Sequence, residues 1–138
     1  TAAIKAAFKA SLAARQRVLT EAPIDSWEHA VREQYCLGVR RQSTYCLRQA
    51  LLLGNDQELI ALAIQGLELI LSESPEHVTG DYKNLGIAYH EWKSRSEAET
   101  QRLFEVWGEY IRRSDPEDTA FVHTARSLLD AIQKPGKL

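Results

Sequence analysis

The sequence predicts an all-α fold of about six antiparallel helices, stacked as helical hairpins or closed into a compact right-handed bundle. Three observations predict it. The run from Leu59 to Leu71 is interrupted by polar side chains only at Gln65 and Glu68. A helix that is apolar on nearly every side must be buried on nearly every side, so this run is expected to be the central post. Three capping signatures, at Asp25–Glu28, Asn55–Glu58 and Ser96–Glu99, mark helix starts. No segment shows the sustained two-residue alternation of a strand.

The first helix is expected from Ala2 to Leu19. Ile4, Phe8, Leu12, Arg15 and Leu19 fall at helical spacing, and Lys5, Lys9 and Arg17 can stay wet. Pro23 ends it, because the residue before proline disfavours helical backbone. Asp25 then caps a second helical stretch carrying Trp27, Val31, Tyr35 and Leu37–Val39. The stretch either continues to Leu53 or breaks near Gln42-Ser43-Thr44; a break or kink is the favoured reading, because Tyr45, Cys46, Leu47, Ala50 and Leu51 open a fresh apolar face. Gly54 suits the left-handed residue that closes a helix.

Asn55-Asp56-Gln57-Glu58 starts the central post, and Ser72-Glu73-Ser74-Pro75 ends it. The next helix begins between Thr79 and Asp81 and carries Tyr82, Leu85, Gly86, Tyr89 and Trp92. After the turn Ser94-Arg95-Ser96, Ser96 and Glu99 cap a helix holding Ala98, Leu103, Val106, Trp107, Tyr110 and Ile111. Trp107, with Leu103 and Ile111 one turn to either side, is expected in the core. Asp115-Pro116 caps the last helix, which carries Phe121, Val122, Ala125, Leu128, Leu129 and Ile132. Residues 133–138 form a tail, released at Lys134-Pro135-Gly136.

Composition narrows the function classes. Hydrophobic residues make up 44 % and charged residues 26 % of the 138, which is globular rather than disordered, and the length suits one domain. No apolar run reaches the length of a membrane span. Net charge is -2, so nucleic acid is not expected as the main partner. Thr1 to Leu53 holds eight Lys/Arg against four Asp/Glu, and Gly54 to Leu138 holds nine against fifteen. That asymmetry reads first as two solvated faces, and otherwise as mutual attraction within the fold or a means of steering a charged partner. Cys36 and Cys46 lack metal-ligand spacing and are expected as free, buried thiols in a reducing compartment, hence a cytoplasmic location. The chain contains no methionine and opens at Thr1, as a processed chain or an excised segment would.

No catalytic constellation emerges, and an enzyme is not expected. His29, His77, His90 and His123 lie on separate segments. His90-Glu91-Trp92 lacks the second histidine that a zinc-binding helix needs. Glu91, Glu97, Glu99, Glu105 and Glu109 read as a solvated helix face. There is no glycine-rich phosphate loop and no nucleophile on a strained turn. The reading includes no metal, no cofactor and no small-molecule substrate.

Tyr82-x-x-Leu85-Gly86-x-x-Tyr89, followed by Ala98, resembles the first half of a tetratricopeptide repeat. Upstream, Ala63, Leu67, Ile70 and Pro75 stand at the spacing of that family's second helix and closing proline. The resemblance covers residues 45–118, with 116–132 as a capping helix. It departs at Pro116, which comes late, and at Arg41, which stands where tyrosine would follow Leu37-Gly38. It implies that Gly86 and Ala98 let neighbouring helices approach, and that Tyr82 and Tyr89 fill the hairpin. It further implies a protein–protein interaction module, an adaptor or scaffold part, that holds a partner's peptide or helix in a groove. Asn84 matches the family's groove asparagine, and Lys83, Ile87 and His90 would line the groove beside it. Arg48 would join them from the helix around Tyr45. The rest of the family's carboxylate clamp is absent.

Two other functions fit the residues. One is a structural bundle that docks into a larger assembly or forms a homo-oligomer. The other is nucleic-acid binding by the basic N-terminal third, with Arg40, Arg41 and Arg48 on phosphates and Tyr45 stacking on a base.

Overall fold

The computed structural model describes residues 2–21, 26–73, 78–114 and 119–133, with side chains for 2–13, 30, 33–73, 78–114 and 120–133. The chain is all-α, and no strand occurs among the described residues. Six helices follow one another: α1 (Ala2–Glu21), α2 (Ser26–Leu52), α3 (Gln57–Glu73), α4 (Thr79–Glu91), α5 (Glu97–Arg113) and α6 (Thr119–Gln133). Short connections turn each helix back on its predecessor. The closest pairs are α2 with α3 and α4 with α5, and α3 also packs on α4 and α1. The expectations for the side chains of Arg15, Arg17, Leu19, Trp27 and Val31, and those at Pro23, the Asp25–Glu28 cap, Ser74-Pro75, Asp115-Pro116 and the tail, lie outside what the structure describes.

The central post is where the apolar run placed it. Leu59, Ile60, Ala63, Leu67 and Ile70 of α3 are completely buried. Burying one Leu or Ile side chain contributes about 1.5–3 kcal/mol, against about 0–1 kcal/mol for an exposed ion pair. Burial therefore fixes α3. The contact of Lys5 with Asp56 at 3.1 Å and Glu58 at 3.5 Å only trims its first turn. Lys5 is consequently drawn out of water, while Lys9 stays exposed.

Two sequence expectations need correction here. The α2 helix runs through Gln42-Ser43-Thr44 without a break. The Ser43 hydroxyl donates to the Val39 carbonyl at 2.7 Å, so its polarity is satisfied inside the helix. The same small side chain faces Gly66, where an added Cβ would lie 2.0 Å from the Ser43 oxygen. The polar triplet is thus the crossing point of α2 and α3. Cys46, Leu47 and Ala50 do face inward, but Tyr45 and Leu51 do not. The α3 cap is also shifted by one residue. Gly54 and Asn55 both take positive φ, 70° and 64°, so the chain turns before the helix starts. Asp56 then accepts from the amides of Glu58 and Leu59 at 3.1 and 3.2 Å, and Asn55 instead donates to Glu91 at the end of α4.

The α5 capping box is complete: Glu99 N–H donates to Ser96 Oγ at 3.1 Å, and Ser96 N–H to Glu99 Oε1 at 3.0 Å. At Gly86 an added Cβ would stand 1.9 Å from Trp107 Nε1, so the α4–α5 crossing is a glycine notch filled by an indole. Ala98, expected at this crossing, is exposed. A close approach needs only one small residue opposite a large one, and Gly86 supplies it. Phe121 of α6 closes this end with edge contacts to Trp107 and Tyr110 at ring separations of 6.0 and 5.5 Å.

Candidate functional site

Three adjoining leucines at the end of a helix cannot all point inward, because successive side chains are turned about 100° apart. Leu51, Leu52 and Leu53 end the α2 segment and are 43 %, 73 % and 49 % exposed. About three turns of α2 carry this exposure back along one face. Arg41, Tyr45, Arg48 and Leu52, at i, i+4, i+7 and i+11, are all exposed. Tyr45 is the ridge between two open depressions. One, of about 390 Å³, is bordered by Arg40, Thr44 and Arg48. The other, of about 440 Å³, lies between α1 and α2 over Phe8 and Cys46.

The electrostatics of the face are uneven. Arg40 Nε donates to both Asp81 carboxylate oxygens, at 2.9 and 3.1 Å, and its Nη2 donates at 3.0 Å. Asp81 is 1 % exposed, so this pair pins α2 to α4. Arg41 and Arg48 make no ion pair or hydrogen bond to any other described residue's side chain.

The structure divides the residues that sequence reasoning grouped as a groove. Arg48 lies on the α2 face. Lys83 Nζ sits over the Phe121 ring at 4.6 Å and the Tyr110 ring at 5.9 Å, as cation–π contacts inside the fold. His90 stacks on Trp107 at 5.7 Å, and Ile87 packs against the core. Asn84 is half-buried, one turn beyond Asp81 on the flank of α4 nearer α2. Tyr82 and Tyr89 are buried. Sequence reasoning missed Leu52 and the pairing of Arg40 away from Arg41 and Arg48. The three consecutive leucines before Gly54 were the available signal.

Other chemistry is spoken for by the architecture. Glu68 on α3 accepts from Tyr89 Oη at 2.6 Å and from Arg102 Nε and Nη2 at 2.9 and 2.7 Å, tying three helices together. Burial pushes the Glu68 carboxyl up, but the hydrogen bonds from Arg102 and Tyr89 outweigh it and hold the group below its ordinary 4.5. Arg112 and Arg113 hold the exposed Glu109 carboxyl down at about 2. A depressed carboxyl stabilises the fold when ionised. That contribution is complete above the unfolded value and is lost as pH falls through the folded one. Thermal melting is therefore expected to be insensitive to these groups near neutrality and to weaken below 4.5 toward about 2. Glu68→Gln should melt lower at neutral pH and show a shallower acid decline; an unchanged acid limb would remove Glu68 from this role.

Cys36 and Cys46 are both buried, and burial pushes the Cys46 thiol up, away from reactive thiolate. Among the described residues no three of His, Cys, Asp and Glu cluster as a metal would require, and no helix is long and apolar enough to cross a membrane.

The fold defines a class: an all-α domain of helices packed in pairs. No family model, curated protein or solved structure matches the chain.

Proposed function

We propose that this chain is a non-enzymatic protein–protein interaction module, an adaptor or scaffold part, whose α2 face receives a peptide or helix of a partner protein. One observation carries the reading. Of the five large hydrophobic side chains exposed among the described residues, four lie between Tyr45 and Leu53. Concentrated apolar exposure on a folded surface marks a place where another molecule lands. Scattered exposure would not. The repeat-like hairpins support the same role, since among the described residues they leave Arg41, Tyr45, Arg48 and Leu52 of α2 exposed. Arg48 remains a contact residue in this reading. Asn84 on α4 is kept as a contact residue in this reading, while Lys83, Ile87 and His90 pack against Phe121, the core and Trp107. The buried thiols suit a reducing, cytoplasmic setting.

Site-specific photo-cross-linking in cells tests the proposal. A benzophenone amino acid at Tyr45 or Leu52 is expected to trap a discrete protein adduct. The same group at Arg126, exposed on α6, is expected to trap none. Equal adducts from both faces, or none from α2, would reject the assignment. An adduct at twice the chain's own mass would replace it with self-association.

A further inference from the structure

We infer that the α2 face selects an acidic amphipathic segment of a partner protein, two carboxylates spaced by bulky apolar side chains. This rests on the proposed interaction role and adds the chemistry of the ligand. The order along the stripe is Arg41, Tyr45, Arg48, Leu52: cation, ring, cation, aliphatic. The two cations are seven residues apart, about 10 Å along the axis, which is two turns of a facing helix. Guanidinium groups fit carboxylates through two parallel hydrogen bonds, and both here are unengaged with other described residues. Arg40, the third guanidinium of the cluster, is spent on Asp81. The face therefore presents a defined pair of charges rather than a diffuse basic patch.

The apolar members decide between ligands. Leu52 at 73 % exposure offers nothing to a phosphate backbone. A single-stranded nucleic acid would also want successive aromatic platforms, and the stripe has one ring, Tyr45. A partner helix with one Leu or Phe between its carboxylates and a second beyond them covers Tyr45 and Leu52. In doing so it excludes water from the rims of both ion pairs, where each pair then counts for more. A second copy of this chain is poorly matched along α5. Its Glu105 is held by Arg102, and its Glu109 by Arg112 and Arg113.

Fluorescence anisotropy tests this with the full chain and a labelled helix-forming peptide bearing Glu, Leu, Glu, Leu at the spacing of the stripe. Binding is expected, weakening as salt rises. A peptide with Gln for Glu should bind about tenfold more weakly or worse. The double variant Arg41→Glu, Arg48→Glu should lose the Glu peptide by a similar factor and recover a Lys-for-Glu peptide. Both arginines are exposed, so circular dichroism should show unchanged helix content. Equal binding of the Glu and Gln peptides, indifference to the double variant, or no binding to either protein would overturn the inference. So would a labelled single-stranded RNA that binds more tightly than the Glu peptide. Adducts at Tyr45 with an arginine-independent peptide profile would leave the interaction role standing and remove only its acidic ligand.

Discussion

Trp107→Ala is expected to cost about 3–5 kcal/mol of unfolding free energy, the range for removing a large buried aromatic. The side chain is 1 % exposed and lies where three helices meet. Its Nε1–H donates to the Lys83 carbonyl at 3.2 Å, its rings stack on His90 and meet the edge of Phe121, and its edge fills the Gly86 notch. Gly86→Ala attacks the same junction from the other side. An added Cβ would lie 1.9, 2.0 and 2.6 Å from three atoms of the indole. A rigid bicyclic ring held on both faces cannot yield locally, so overpacking should cost about 1–3 kcal/mol or more. The two changes should not add. In the Trp107→Ala background the notch is empty, and Gly86→Ala should become neutral or gain up to about 1 kcal/mol from helix propensity. Denaturant unfolding of the four proteins measures the coupling. Additive losses would mean that Gly86 and Trp107 do not meet in solution as described.

Arg40→Ala is expected to be the second most damaging change, at about 3–5 kcal/mol, because it leaves a buried carboxylate without its counter-ion. The reverse deletion should be milder. Asp81 is 2 % exposed at its side chain, but Arg40 retains 22 % exposure and a long stem. Freed of Asp81, the guanidinium can turn outward to water. Freed of Arg40, the carboxylate has no such route. Asp81→Ala should therefore cost about 1–3 kcal/mol, the range for a hydrogen-bonded charge left without its partner. Replacing both residues by leucine should recover most of the loss, since apolar packing often equals a buried ion pair. Chemical denaturation of the two single variants and the double variant checks the order. An equal loss from both singles would indicate that Asp81 reaches water by breathing of α2 against α4.

The two predictions concern residues of different legibility. The core placement of Trp107 follows from Leu103 and Ile111 one turn away on either side. Its seat in Gly86 does not follow, because the Leu-Gly pair implied a small partner, Ala98, which turns out to face water. Arg40 reads as one of a basic trio. Only the approach of α4 shows that Asp81 neutralises it and leaves Arg41 and Arg48 as the pair that faces outward. Ser43 is the same lesson in reverse. Three polar residues in a row suggest a break, yet its hydroxyl is satisfied within its own helix and its small size serves a neighbour some twenty residues away.

By itself the sequence determined the all-α class, the burial of α3 and the start of α5. Each rests on interactions within a few residues: an apolar run that no solvated helix tolerates, and a capping box that closes over four positions. Tertiary structure alone decided which arginines are spent and which are offered. It also set Lys83 over the Phe121 ring and His90 against Trp107, and left the end of α2 exposed among the described residues. Those outcomes depend on what a second helix brings within a few ångströms, and no spacing along one helix contains that distance.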